Sequence, residues 1–347
     1  MANLNLPGPD NPFRGVVGPF SYSHLDFYRR WVERGFHGEM DYMAHVEKRQ
    51  SLDALVPGVR SVLAFGFPYP FDRRNALRRP TPGEYKIAQF SLGKDYHKRI
   101  KGLLRPVART LGGTSKVFCD SGTLMEKETA QHAGLGFVGK HTLLIHPGCG
   151  SAFMLGFILT TAEVEPTPVP KFPGCGRCLR CLSVCPTGAL AAPYTLDARK
   201  CISYATLESV QASRDPSPRW GYVYGCDLCQ AVCPYNAGLK GWRDAPPSLD
   251  PERVSPERLE QNREMIRDER TPLVIAQDGL EFPLNPTLTA ELFSIAGDKA
   301  GEWNYDGTAF NFHGAACPTA QQAALTAFFR KTQLVKMERP FRFIVAG

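Results

Sequence analysis

The run GCGRCLRCLSVCP, residues 174–186, sets Cys175, Cys178, Cys181 and Cys185 at gaps of two, two and three residues and follows them with Pro186. This is the bacterial two-cluster ferredoxin run. Its close gaps let one loop wrap three corners of an iron–sulfur cubane, and its fourth cysteine ligates the other cluster. A second group, Cys201, Cys226, Cys229 and Cys233 ahead of Pro234, brings the thiols to eight. Eight thiolates serve two [4Fe-4S] clusters. The ferredoxin crossing assigns Cys175, Cys178, Cys181 and Cys233 to the first and Cys185, Cys201, Cys226 and Cys229 to the second. Structural zinc sites pair CxxC units without a C-P tail, so zinc is the weaker reading of a pattern that carries the tail twice. Cys119, Cys149 and Cys317 read as buried or indifferent thiols.

Eight of the eleven cysteines fall between 175 and 233. Scattered disulfide cysteines would not cluster this way, and a reducing compartment would not keep them oxidised. At 347 residues the chain can hold two domains, or one large domain with a smaller module inserted. It has no run of about 18 apolar residues, so no membrane span is expected. MANLNLPGPDNPFRG at the start has neither a basic nor an apolar signal region, and a cytoplasmic protein is expected. The formal net charge is +7. Two cubanes with their thiolates would subtract roughly 4. The excess is compatible with a nucleic-acid partner and does not establish one.

Ahead of the cysteines, residues 23–35 read as a helix ending at a glycine, 60–70 as a buried strand and 95–113 as a basic helix with Pro106 as a kink site. Residues 116–122 read as a short strand breaking into a turn. Residues 123–134 read as a helix whose T-x-x-E start fits a capping box, with Glu126 capping its own helix. Two more strands fall within 141–161. Strands alternating with helices suggest an α/β domain over 1–165. The proline-rich PTPVPKFPG leads into a module over 166–240, and 241–347 has weak periodicity and no clear repeat.

GLGFVG, 134–139, matches a dinucleotide fingerprint in letters only. It follows a predicted helix and precedes a strand, the reverse of what the fingerprint needs; a tight turn near a ligand is the better reading. DYHKRI, 95–100, begins like the Asp-x-His-x-x-Gly signature for histidine on cobalt, but Ile100 stands at the glycine position. Asp120, where a strand breaks into a turn, is either an Asx cap or an acid facing a pocket. The basic residues from Lys94 to Arg109 read first as a solvated helix face.

FHGEMDYM (36–43), EKR (47–49), SLGKDYH (91–97), CDSG (119–122), AGLGFVGKHTLL (133–144), CGRCLRCLSVCPTGAL (175–190), CISY (201–204) and YGCDLCQAVCPYN (224–236) occur in one order. Together they resemble the epoxyqueuosine reductase family. The resemblance implies an α/β (α+β) corrinoid-binding domain related to reductive dehalogenases, with a ferredoxin-like double [4Fe-4S] module. It implies reduction of epoxyqueuosine to queuosine at the wobble position of a tRNA with a GUN anticodon. Two clusters, base-off cobalamin and an external donor of ferredoxin or flavodoxin type would serve a monomer off the membrane. Asp120 falls on the family's proton donor, with Cys119 where the motif has valine. Arg49, Ala88, Lys140 and Asp227, with Asp120 itself, fall at cobalamin contacts. A proton donor at neutral pH should have a raised pKa. Many members carry HEAT-like helical repeats after the module, and 241–347 shows no such pairs. The competing readings are a cobalamin-dependent, dehalogenase-like reductase of a small molecule, against which no twin-arginine leader is seen, and an electron-transfer protein, which would need only the module.

Overall fold

Phe153–Thr160 is the central strand of a four-stranded sheet, flanked by Ser61–Pro68, with Phe13–Val17 beyond it, and by Ser115–Phe118 on the other side. In this computed structural model the described residues are 12–81, 83–120, 122–210, 219–241, 248, 250, 255–264, 273–276, 280–296, 301–305, 310–312 and 315–345. Residues 1–11 of the expected first domain, Ser121 of the expected strand and much of 242–272 lie outside them. All three strand pairings of the sheet are antiparallel, with Ser61 opposite Thr160 and Ser115 opposite Thr160 from the other side. Helices and strands alternate along the chain, yet the sheet is of the antiparallel α+β kind.

Strand alternation sends successive side chains to opposite faces. Val62 and Ala64 pack with Phe157, Leu159 and Leu52 in one core cluster. Leu63, Phe65 and Phe67 pack with Ile158 in the other. That second face receives the helix Tyr96–Thr110, whose Tyr96, Ile100, Leu104, Val107 and Ala108 recur every three or four residues and are buried. Pro106 sits inside this helix without ending it. Gly156 is what lets the helix press so close. A Cβ there would stand 2.7 Å from Ile100 Cγ2 and 2.8 Å from Leu104 Cδ1.

Contacts group the chain into two units, 1–71 with 89–174 and 238–253, and 72–88 with 175–237 and 254–347. This grouping differs from the three-part division at 165 and 240 expected from the sequence. The strand Lys86–Ile87 lies parallel to Tyr222–Tyr224, and that pairing draws 72–88 into the second unit. The cysteine module there consists of short elements: helices Arg180–Val184, Ile202–Leu207 and Leu228–Ala231, and the hairpin Leu190–Ala192 with Thr195–Leu196.

The described residues of the last hundred form a six-stranded antiparallel sheet. Its order is Glu281–Pro283, Leu273–Ala276, Phe341–Val345, Gly301–Tyr305, Phe310–Phe312, Ala315–Ala316. Trp303, Phe310, Phe328, Phe329 and Phe343 are almost wholly buried at its centre. Asn285 joins this part to the module: its N–H donates to Ser183 O at 2.8 Å and its Nδ2 to Leu182 O at 2.9 Å. Among the described residues no helix is long and apolar enough to cross a membrane.

Candidate functional site

Asp120 lies just past the strand Ser115–Phe118, at a φ of 46°. A left-handed backbone is uncommon outside glycine, though aspartate tolerates it better than most residues. Here it turns the side chain toward the start of the helix Tyr96–Thr110. Tyr96 Oη donates to Asp120 Oδ2, and His97 Nε2 stands 3.5 Å from the same oxygen. Asp95 caps that helix, its Oδ1 accepting from His97 N at 2.9 Å and lying 2.8 Å from His97 Nδ1. The imidazole of the DYH motif is therefore held between two carboxylates.

The helix expected from 123 begins at Glu126, with Met125 at its cap and no side-chain capping bond. Thr123 makes no capping box, and Glu126 does not cap its own helix. Its Oε1 instead accepts the backbone N–H of Asp120 at 2.7 Å. The Glu126 carboxyl is therefore engaged by the Asp120 backbone and not by the start of its own helix.

The acid–base balance runs against the expected one. Hydrogen bonding from His97, with help from Tyr96, holds the Asp120 carboxyl below its ordinary value. The side chain is 65 % exposed, so solvent keeps its charge affordable. The proton-retaining groups stand beside it. Burial, reinforced by the Asp120 charge, pushes Glu126 up to about 8. The hydrogen bond to Asp120 raises His97. His97, Tyr96 and Glu126 were not singled out as partners of Asp120 from the sequence. The DYH motif was the available signal.

Arg49 is 5 % exposed; its NH2 group donates to Tyr42 O at 3.2 Å and its guanidinium lies 5.5 Å from the Tyr28 ring centre. Its Nε is buried and, among the described residues, has no hydrogen-bond partner. GLGFVG forms a turn-and-hairpin, with Phe137–Val138 paired to Leu144–Ile145. Gly139 N donates to Leu143 O at 2.8 Å, closing a tip that carries half-buried Lys140 and buried His141. His141 Nδ1 accepts from Leu143 N at 3.2 Å, and burial pushes the ring down to about 4. Its Nε2 also lacks a partner among the described residues. Buried polar atoms are costly to leave unpaired, so each of these two is a place where a polar ligand group could be accommodated.

In the second unit Ala88 is fully buried, its N–H donating to Tyr224 O at 2.8 Å. Asp227 is 1 % exposed at the start of the helix Leu228–Ala231. Lys86, unmarked by the sequence, is buried nearby. Its Nζ donates to Ala76 O and Arg78 O and lies 4.6 Å from the Tyr222 ring centre. Burial lowers it to about 8, and the charges of Cys226 and Asp227 work the other way.

All eleven cysteines are free thiols. Burial drives Cys181 up to about 12 and Cys233 up to about 11. Cys181 also feels Cys178, Cys233 and Cys175, and Cys233 feels Cys175 and Cys178. In the other group burial raises Cys201, Cys226 and Cys229, each next affected by neighbours that include Cys185. The fold thus brings Cys233 to the first run and Cys185 to the later one. Cys181 also feels no charge from Cys201 or Cys226 among its main influences, though Cys229 feels Cys181. Buried and half-buried thiols that would repel one another as thiolates fit a cationic iron core. Among the described residues no three His, Cys, Asp or Glu side chains converge as a cage for a single metal ion.

Comparison with known proteins agrees with this organisation. The family described as "4Fe-4S double cluster binding domain" matches residues 174–236, and "Epoxyqueuosine reductase QueG, DUF1730" matches 49–121. The chain is 41% identical to an epoxyqueuosine reductase of Pseudomonas aeruginosa over 222 residues, covering 61% of this chain and 62% of that one. It is 36% identical to one from Synechococcus sp. (strain CC9605) over 232 residues, covering 65% and 68%. The match thus spans about three fifths to two thirds of these relatives' length. Among solved structures, an epoxyqueuosine reductase with an epoxyqueuosine-modified tRNA-Tyr stem loop superposes with a TM-score of 0.57 at 28% identity, over 69% of this chain and 65% of that one. A Bacillus subtilis epoxyqueuosine reductase, described as having its catalytic aspartate loop swung out of the active site, gives 0.56 at 28% identity, over 69% and 65%.

Proposed function

This chain belongs to the epoxyqueuosine reductase family, and from that premise we propose that it reduces epoxyqueuosine to queuosine at the wobble position of tRNA, with Asp120 delivering a proton. What carries the reading is the setting of Asp120. The residue that falls on the family's donor is the one ringed by His97, Tyr96 and Glu126. That a Bacillus subtilis relative is described as having a catalytic aspartate loop supports an aspartate in this role.

Removing an epoxide oxygen takes two electrons and two protons and releases water. Cys175, Cys178, Cys181 and Cys233 would hold one [4Fe-4S] cluster, and Cys185, Cys201, Cys226 and Cys229 the other. Arg49, Ala88, Asp120, Lys140 and Asp227 are the residues that the family resemblance proposes as cobalamin contacts. When bound, the clusters supply electrons singly and the cobalamin supplies a low-potential metal centre for the epoxide carbon. The chain's own part is acid–base work. Asp120 with a lowered pKa is ionised at neutral pH, so the proton-retaining groups beside it are Glu126, pushed up to about 8, and His97, raised by its hydrogen bond to Asp120. As negative charge builds on the leaving oxygen, His97 passes its proton through Asp120, and Tyr96 fixes the carboxylate's direction. The expected raised pKa of Asp120 is thereby replaced by raised values on its neighbours.

The test is single-turnover reduction of epoxyqueuosine-bearing tRNA by the reconstituted protein, with nucleosides read by mass spectrometry. Asp120→Asn should keep iron content and corrinoid spectrum and lose turnover by about 10²-fold or more. Normal turnover in that variant would refute the proton role. Retention of the epoxide oxygen by the wild-type protein would sink the activity itself.

A further inference from the structure

Between the first cysteine run and the last helix, the second unit has an open cleft of about 710 Å³. Arg177, Arg180 and Arg330 line it, with Glu338 as the acidic side chain among the lining residues. Cys178, partly exposed, lies in its wall. The rest is apolar or neutral, including Pro234, Val335 and Met337. Three features make this a built surface. Gln333 ends the helix Thr319–Thr332 in a left-handed conformation, φ 57°. From there its Oε1 accepts Leu179 N at 3.0 Å, and its Nε2 reaches Arg177 O at 3.4 Å. Tyr305 Oη donates to Met337 O at 3.0 Å, fixing the opposite wall. A non-glycine residue held at positive φ thus joins the last helix to the loop between two cysteines.

We infer that this cleft is the docking port for a small acidic one-electron carrier protein, which hands electrons to the cluster held by Cys175, Cys178, Cys181 and Cys233. The inference rests on the cluster assignment proposed above. Positive charge around a redox centre steers an acidic partner and raises its rate of encounter. The apolar wall gives that partner a surface to rest on, as interface cores do. The wall that contains Cys178 brings the partner's redox group to the cluster's edge. Tunnelling needs that proximity, whereas tRNA phosphates gain nothing from it. Each encounter moves one electron: the carrier is oxidised by one, the cluster is reduced from 2+ to 1+, and no proton moves. Two encounters supply one epoxide reduction.

Stopped-flow bleaching of the reconstituted clusters tests the port without any epoxide turnover, so it stays readable if the proposed activity fails. The probes are reduced flavodoxin and, separately, dithionite. For Arg177→Glu with Arg330→Glu, flavodoxin-driven bleaching should slow by about tenfold or more, with bleaching by dithionite, a small anion that makes no docked complex, slowed far less. The wild-type flavodoxin rate should fall steeply with salt. Arg177→Gln with Arg330→Gln should show the same selectivity in smaller measure. It decides the matter if the reversed pair loses its clusters. An unchanged flavodoxin rate, or equal slowing with both reductants in the neutral pair, overturns the port. So does weaker binding of a tRNA anticodon stem loop with carrier-driven reduction intact, which would make the cleft a nucleic-acid surface.

Discussion

Glu126 and Asp120 divide the work of two carboxyls by environment. Burial and the Asp120 charge lift Glu126 to about 8, from an ordinary 4.5. A carboxyl raised in the folded protein binds protons that the unfolded chain has released, so it stabilises at low pH and loses that contribution as pH climbs through 8. Glu126→Gln keeps an oxygen for the Asp120 N–H and removes the titration. The melting temperature of the wild type should therefore fall between about pH 4.5 and 8 relative to that of the variant; parallel profiles would show that Glu126 ionises normally. His97 has the opposite sense of charge. It is raised by Asp120, and its stabilising partnership is present below the unfolded value and lost as pH rises past the folded one. His97→Gln should relieve Asp120 of its depressing donor and cut turnover by roughly 10- to 100-fold. A pH–rate profile for that variant should lose the limb due to the imidazole.

The helix Tyr96–Thr110 ties the site to the sheet, since one end carries Tyr96 and His97 and its face lies on Gly156. Gly156→Ala puts a methyl 2.7 Å from Ile100, and overpacking of this kind costs about 1–3 kcal/mol. Leu104, fully buried, should cost about 2–5 kcal/mol when cut to alanine. Denaturant titration checks both, and a loss under about 0.5 kcal/mol for Leu104→Ala would contradict the packing. At this scale the sequence was unevenly informative. The cysteine spacing was legible because a cubane dictates it within one loop. The helices and long strands of the first unit were legible because their apolar period is sustained. The bond between Glu126 and Asp120 was not, because it depends on a left-handed turn that no periodicity reports. The last hundred residues gave weak signals because their strands have two to five residues. Even so, buried Trp303 and Tyr305 around exposed Asn304, and Phe341 and Phe343 around exposed Arg342, carry the two-residue period of strands.

Across the whole chain, the cysteine module is held by partners far away in sequence. Tyr222–Tyr224 pairs with Lys86–Ile87, Asn285 bonds Ser183, and Gln333 bonds Leu179. Residues 175–237 expressed alone would lack all three. That fragment should retain markedly less iron after reconstitution than the full chain, measured per polypeptide; equal iron would show the module self-sufficient. A cut in the linker 166–174 would likewise fail to free the second unit, because the chain passes between the units again at 71–72, 88–89, 237–238 and 253–254. The ferredoxin signature at 174–186 therefore belongs to no transplantable cassette. A recombination event that borrowed only that stretch would inherit the ligands and leave behind the strand, the asparagine and the glutamine that hold them in place.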